Sequence, residues 1–111
     1  LDERTRGALA DRVVDAWIGS RSYELSTWNT VTTLTGGANL GFESSINKVF
    51  WSTWDIATHE TALDILGHAG ERAGEQWMDG CLFALACPIY AGTNEVQKNI
   101  IAERLLGLPR G

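Results

Sequence analysis

Chain breaks, more than any single motif, limit what this sequence can fold into. Gly36-Gly37, Gly67, Gly70, Pro88 and the pair Gly107 and Pro109 cut it into four stretches. Glycine supplies 12 of the 111 residues and proline only 2, so the glycines act as stops between helices and not as a flexible linker. The first stretch, Asp2 to about Leu34, carries Leu9, Val13, Ala16, Trp17, Leu25, Trp28 and Val31 at three- and four-residue steps, with gaps. That is the period of an amphipathic helix. The β-branched run Val31–Thr35 has strand-like composition, but Gly36-Gly37 ends it at once, so it reads as a fraying helix end.

A loop from Gly36 to Phe42 precedes a second helix, Glu43 to Leu66, striped by Ile46, Val49, Phe50, Trp54, Ala57, Leu63 and Leu66. A polar connection, His68 to Glu75, leads to a shorter helix over Gln76 to Ala86 that Pro88 ends. The last helix starts at Thr93 or Asn94, either of which can cap it. Asn94 and Gln97 have capping-box spacing. This helix runs to about Leu105, where Gly107 and Pro109 stop it. The expected fold is all-α: an up-and-down four-helix bundle or a piece of one, with two long antiparallel helices and two shorter ones.

Charge and composition narrow the function classes. Nine basic against fourteen acidic residues leave a formal charge of −5, which disfavours nucleic acid as a partner. No apolar run approaches the roughly 18 residues that would span a membrane. Cys81 and Cys87 do not have CxxC spacing and read as small buried hydrophobes in a reducing compartment. The chain opens Leu1-Asp2-Glu3-Arg4, and its one methionine is Met78, so it is expected to be a fragment of something longer.

Few residues offer chemistry on their own. His59-Glu60-Thr61-Ala62-Leu63 begins like an HExxH zinc signature, but Leu63 stands where the second ligand belongs, so no metal site is expected. His68 is a lone loop histidine. The glycine-rich Gly36–Gly41 fits neither a Walker loop nor a dinucleotide fingerprint. Most of Trp17, Trp28, Trp51, Trp54 and Trp77 are expected in core or subunit packing. One of Trp51 and Trp54 is expected to meet another domain or chain.

The segment Pro88-Ile89-Tyr90-Ala91-Gly92-Thr93-Asn94-Glu95-Val96-Gln97-Lys98-Asn99-Ile100-Ile101-Ala102 is the most informative. It closely resembles the C-terminal signature of acyl-CoA dehydrogenases, roughly I-Y-E/G/A-G-T-S/N-E-I/V-Q-R/K-x-I-I-A. The likeness continues to Gly107, across about twenty positions. Upstream, Ser45-Ile46-Asn47-Lys48-Val49 resembles the family's A-x-x-K stretch. Ala62-Leu63-Asp64-Ile65-Leu66-Gly67-His68-Ala69-Gly70 resembles its A-L/V-Q-I/L-x-G-x-x-G element. The resemblance implies that residues 1–111 form the C-terminal helical bundle of such an enzyme, lacking its first helix and the N-terminal and middle domains.

Further expectations follow from the resemblance alone. The parent would be an FAD-dependent oxidoreductase of fatty acid β-oxidation in which a carboxylate removes the pro-R α-proton of an acyl-CoA thioester. The β-hydrogen leaves as hydride to the flavin, giving the trans-2-enoyl-CoA, and electrons pass to an electron-transfer flavoprotein. The implied assembly is a homo- or hetero-oligomer, dimer or tetramer, in the bacterial cytoplasm or the mitochondrial matrix. Tyr90, Ala91 and Gly92 match substrate-binding positions. Thr93 and Glu95 match FAD contacts, helped by free N–H groups at the helix start, and Asp64, Leu66, Gly67 and Gly70 match contacts to a neighbouring subunit's FAD. Asp64 stands where the family has glutamine and would repel a phosphate. The usual catalytic glutamate position is Ala91, which accepts no proton, so no catalytic residue is expected in this chain. The base would then lie on the missing first helix, or the chain would belong to a base-less partner subunit of a hetero-oligomer, or the chemistry would be altered or lost. Whatever the parent does, the isolated fragment is expected to be inactive, to bind FAD weakly or not at all, and to self-associate.

Overall fold

The structure is a computed structural model and describes residues 2–110. It contains helices α1 (Glu3–Thr35), α2 (Glu43–Leu66), α3 (Gln76–Ala84) and α4 (Asn94–Arg104), with a 3-10 turn at Gly67–Ala69 and no strand among the described residues. Asp2 caps α1 by accepting from the Thr5 N–H, and Glu75 caps α3 by accepting from the N–H groups of Trp77 and Met78. Gly67, at φ 56°, stops α2, because that left-handed conformation is open to a residue without Cβ.

Both short helices end earlier than the sequence pattern implies. Past Ala84 the backbone bonds shorten to three-residue steps: Ala86 to Phe83, Cys87 to Ala84 and Ile89 to Ala86. This tightening brings α3 to an end before Pro88, which has no N–H to continue it. At the other end, Gly107 (φ 68°) turns the chain back, so that the Leu108 N–H reaches the Ala102 carbonyl and α4 closes at Arg104.

α2 is the hub. α1, α3 and α4 each pack against it, and among the described residues α1 packs against neither α3 nor α4. α1 and α2 run antiparallel: Arg12 pairs with Asp64, the Trp54 indole donates to the Ala16 carbonyl at 3.0 Å, and Ser26 bonds Asn47 at 2.5 Å. The partly or fully covered positions of α1 are Leu9, Arg12, Ala16, Gly19, Tyr23, Ser26, Thr30 and Thr33, alternating in steps of three and four. That is the seam of two helices in coiled-coil-like contact, but lined with small and polar residues.

The large apolar residues of α1 lie elsewhere. Trp17 is 65% exposed, Trp28 63% and Leu25 62%, with Val13 and Val31 also exposed, so only Leu9 and Ala16 of the expected stripe face α2. The reason is fit to the partner. Trp54 lies over Gly19, where even a Cβ would overlap its indole, and a bulky residue of α1 has no room there.

The interior gathers where the middle of α2 meets the end of α3 and the start of α4. Ser52, Ala84, Cys87 and Asn94 are all buried there. Cys81, expected to be buried, is only partly covered. The molecule measures 49 × 28 × 27 Å, and its radius of gyration of 17.1 Å exceeds the roughly 13 Å of a compact chain of this length.

Candidate functional site

The segment between α3 and α4 is built around two consecutive left-handed residues. Ala91 has φ 55° and Gly92 has φ 88°. Glycine adopts such angles freely, whereas alanine does so at a cost, and such strain collects at ligand-contacting turns. The loop is clasped from α4, where the Gln97 side-chain amide donates to the Ala91 carbonyl at 3.3 Å. A Cβ on Gly92 would run into that amide. Gly92 is therefore required by its own backbone angle and by Gln97, beyond any approach of a ligand.

The first turn of α4 is satisfied from within the chain. Thr93 is the N-cap and accepts from the Val96 N–H at 3.3 Å, so the expected Asn94–Gln97 capping box does not form. The Asn94 N–H donates to the Pro88 carbonyl at 2.9 Å, and the Gln97 N–H to the Thr93 carbonyl. Glu95 is held below its ordinary carboxylate value, first by its own backbone N–H and then by the Thr93 hydroxyl, with Lys98 and Lys48 adding charge. The N–H groups expected to be free for a cofactor are thus already engaged. Glu95 is also a poor proton acceptor, since a lowered pKa makes a weaker base.

Behind the loop, Asn94 turns inward. Its buried side-chain carbonyl accepts from Lys48 Nζ at 3.0 Å and from the Ser52 hydroxyl at 3.1 Å, fixing the start of α4 against α2. Nothing local in the sequence marks this network, because Asn94 is more than forty residues from both Lys48 and Ser52. Tyr90 rests against Trp51 edge-on, at 6.4 Å between ring centroids, and against Phe83 at 6.1 Å. With Trp54 engaged on α1, both α2 tryptophans have partners inside the chain, and both stay partly exposed.

The second group of expected contacts lies at the far end of α2. Asp64 and Leu66 are exposed, Gly67 forms the helix stop, and buried Gly70 folds back against Leu63 and Leu66. The Arg12 guanidinium lies 2.5 Å from Asp64, which supplies the counter-charge that sequence alone does not reveal. Both members are largely solvated, so the pair is worth about 0–1 kcal/mol. From Ser52, beside α4, to Leu66 is about 21 Å of helix. Tyr90–Glu95 and Asp64–Gly70 are therefore not one site in this chain.

Nor do the described residues enclose a dinucleotide. A cavity of about 250 Å³ lies between α1 and α2, lined by Arg12, Asp15, Trp54 and Thr58 among others, and one of about 430 Å³ lies at the end of α4 near Leu108. Neither is lined by a residue of Tyr90–Glu95 or Asp64–Gly70. The residues matched to FAD contacts can form an edge of such a site and not its enclosure.

The histidines are accounted for locally. His59 Nδ1 lies 2.9 Å from the Asp55 carbonyl, its ring packs edge-on to Trp77, and Gly80 leaves space for it. His68, in the 3-10 turn, is fully exposed beside Glu71.

Comparison with known proteins places this arrangement. Residues 5–106 match the family profile described as acyl-CoA dehydrogenase, C-terminal domain. The chain is 36% identical to acyl-CoA dehydrogenase IpdE1 of Mycobacterium tuberculosis, with 99% of this chain and 30% of that protein aligned. It is also 36% identical to acyl-CoA dehydrogenase IpdE1 of Mycolicibacterium smegmatis, over 99% of this chain and 29% of that protein. It thus spans about 30% of the length of these curated relatives. No solved structure matches the chain. With an all-helical fold, the Tyr90–Gln97 loop and this agreement along nearly its whole length, the chain belongs to the acyl-CoA dehydrogenase family, in the family's C-terminal domain.

Proposed function

We propose that these residues are the C-terminal helical domain of an FAD-dependent acyl-CoA dehydrogenase, which oxidises the α,β bond of an acyl-CoA thioester and passes electrons to an electron-transfer flavoprotein. The observation that carries this reading is the Tyr90–Gln97 segment. It has the family's residues, and its backbone turns through two consecutive left-handed residues, Ala91 and Gly92, clasped by Gln97. A flavin supplies the hydride acceptor that such a reaction needs. The part of this chain is to present Tyr90, Ala91 and Gly92 to the acyl thioester and Thr93 and Glu95 to the edge of the cofactor. Asp64, Leu66, Gly67 and Gly70 are placed to serve a neighbouring subunit's cofactor, with Arg12 neutralising Asp64.

Removing a proton beside a thioester takes a base at the α-carbon. Ala91 provides none, and Glu95, its pKa lowered by its own backbone N–H and the Thr93 hydroxyl, is a poor one. The base therefore comes from outside these residues, and the isolated chain is inactive and retains no stoichiometric flavin. The test uses the full-length protein that contains this chain. Under anaerobic conditions, flavin absorbance near 450 nm is followed as acyl-CoA thioesters are added. Bleaching by the protein alone supports a complete catalyst, whereas no bleaching by any acyl-CoA, alone or with a partner, overturns the reading.

Ala91 favours one second reading, a base-less subunit that completes the flavin site of a hetero-oligomer. Bleaching that appears only after a second polypeptide is added distinguishes it.

A further inference from the structure

The exposed tyrosine of the loop sets its hydroxyl against a buried residue. Tyr90 is 40% exposed, yet its hydroxyl lies 3.4 Å from Sγ of Cys87, which is fully buried. That sulfur lies 3.9 Å from Oδ2 of Asp55 and 3.8 Å from the Phe83 carbonyl. The other Asp55 oxygen lies 3.4 Å from His59 Nδ1, and the Asp55 and His59 side chains are only 19% and 18% exposed. Tyr90, Cys87, Asp55 and His59 thus form one file of polar groups from the loop into the α2–α3 contact. A tyrosine on an open surface ordinarily leaves its hydroxyl in water. Here the hydroxyl has a protein partner as well, and the ring is braced by Trp51 and Phe83. A thiol suits the middle of such a file, being small and apolar enough to bury while still able to donate and accept weakly.

We propose that Cys87, backed by Asp55, is a positioning residue for Tyr90, anchoring its hydroxyl and so fixing the orientation of its ring toward a ligand at the Tyr90–Thr93 loop. The anchor follows from the contacts; that the ligand is an acyl-CoA rests on the function proposed above. With its hydroxyl held by Cys87, Tyr90 offers the acyl group a ring of fixed orientation.

The test uses the full-length protein labelled with carbon-13 at tyrosine Cζ, with the Tyr90 signal identified by its loss in Tyr90→Phe. Hydrogen bonding to Cys87, then desolvation and the Asp55 charge, hold the Tyr90 hydroxyl above its ordinary titration range. Cys87→Ala is expected to lower the titration midpoint, and Asp55→Asn to lower it while leaving the thiol in place. Cys87→Ser, which keeps a donor and acceptor, retains most of the shift. Asp55→Asn carries the test if Cys87→Ala does not fold. With acyl-CoA as substrate, Cys87→Ala and Tyr90→Phe each raise KM about fivefold, the loss of one neutral hydrogen bond, while kcat changes less than about twofold. The double variant is no worse than either single, because both remove the same contact.

An unchanged midpoint in both Cys87→Ala and Asp55→Asn, or KM effects that add in the double variant, overturns the proposal. Shifted midpoints in a protein that turns over no acyl-CoA support the anchor and sink the dehydrogenase reading instead.

Discussion

Ala91 occupies a backbone region that costs a residue with a Cβ about 1 kcal/mol or more relative to glycine. Ala91→Gly is accordingly expected to raise stability by about 0.5–1 kcal/mol, seen as a higher urea midpoint, even though it adds chain entropy to the unfolded state. Gly92→Ala goes the other way, since it meets both the positive φ and the Gln97 amide. Two exposed carboxylates add a pH dependence. Asp2 is held below its usual range by the Thr5 N–H, and Glu95 by its own N–H and the Thr93 hydroxyl. Because both folded values are depressed, their contribution is present above the ordinary carboxylate range and is lost as pH falls through the lowered values. Thr93→Ala should flatten that acid limb of stability, and an unchanged limb counts against the cap. At this scale the sequence exposes what is contiguous: Tyr90 to Gln97 reads as one motif. It does not expose Cys87 beside Asp55, or Lys48 and Ser52 beside Asn94, because those contacts join residues brought together only by packing on α2.

Gly19 is the element-scale counterpart. It lets α1 and α2 approach until Trp54 lies on the α1 backbone and its indole bonds the Ala16 carbonyl. Gly19→Ala should push the helices apart and cost about 1–3 kcal/mol, an overpacking penalty that outweighs the better helix propensity of alanine. The Trp54→Phe variant, lacking the N–H, should lose less when Gly19→Ala is added, and a double-mutant cycle measures the difference. Helix spans were legible because glycine and proline stops act locally: α1 and α2 lie within a residue or two of where periodicity puts them. The face of α1 that meets its neighbour was not. A stripe of Trp17, Leu25 and Trp28 is the louder signal, but the contact is chosen by room for Trp54, which favours Ala16 and Gly19.

Across the whole molecule, little side-chain volume is sealed. Ala84 and Cys87 are the buried hydrophobic residues among those described, while Trp17, Leu25, Trp28, Leu82, Phe83 and Ile89 are each more than 60% exposed. Apolar surface on this scale marks contact with further protein. If the outer face of α1 supports association, replacing Trp17 and Trp28 with glutamate should change the stability of the dilute chain by less than about 0.5 kcal/mol. The same variant should shift sedimentation at high concentration toward the monomer; an unaltered profile would rule out that face as the contact. The sequence announces an all-α bundle but not this openness, because hydrophobic periodicity states that a face is to be covered without stating by what. Trp54 and Asp55 are neighbours in sequence, yet one touches α1 and the other points toward Cys87 and the loop. No described contact bypasses α2 to join α1 to α3 or α4. Within the described residues, an event that grips or releases α1 thus reaches Tyr90 by turning or shifting α2, and a single peptide unit, between residues 54 and 55, links the two contacts.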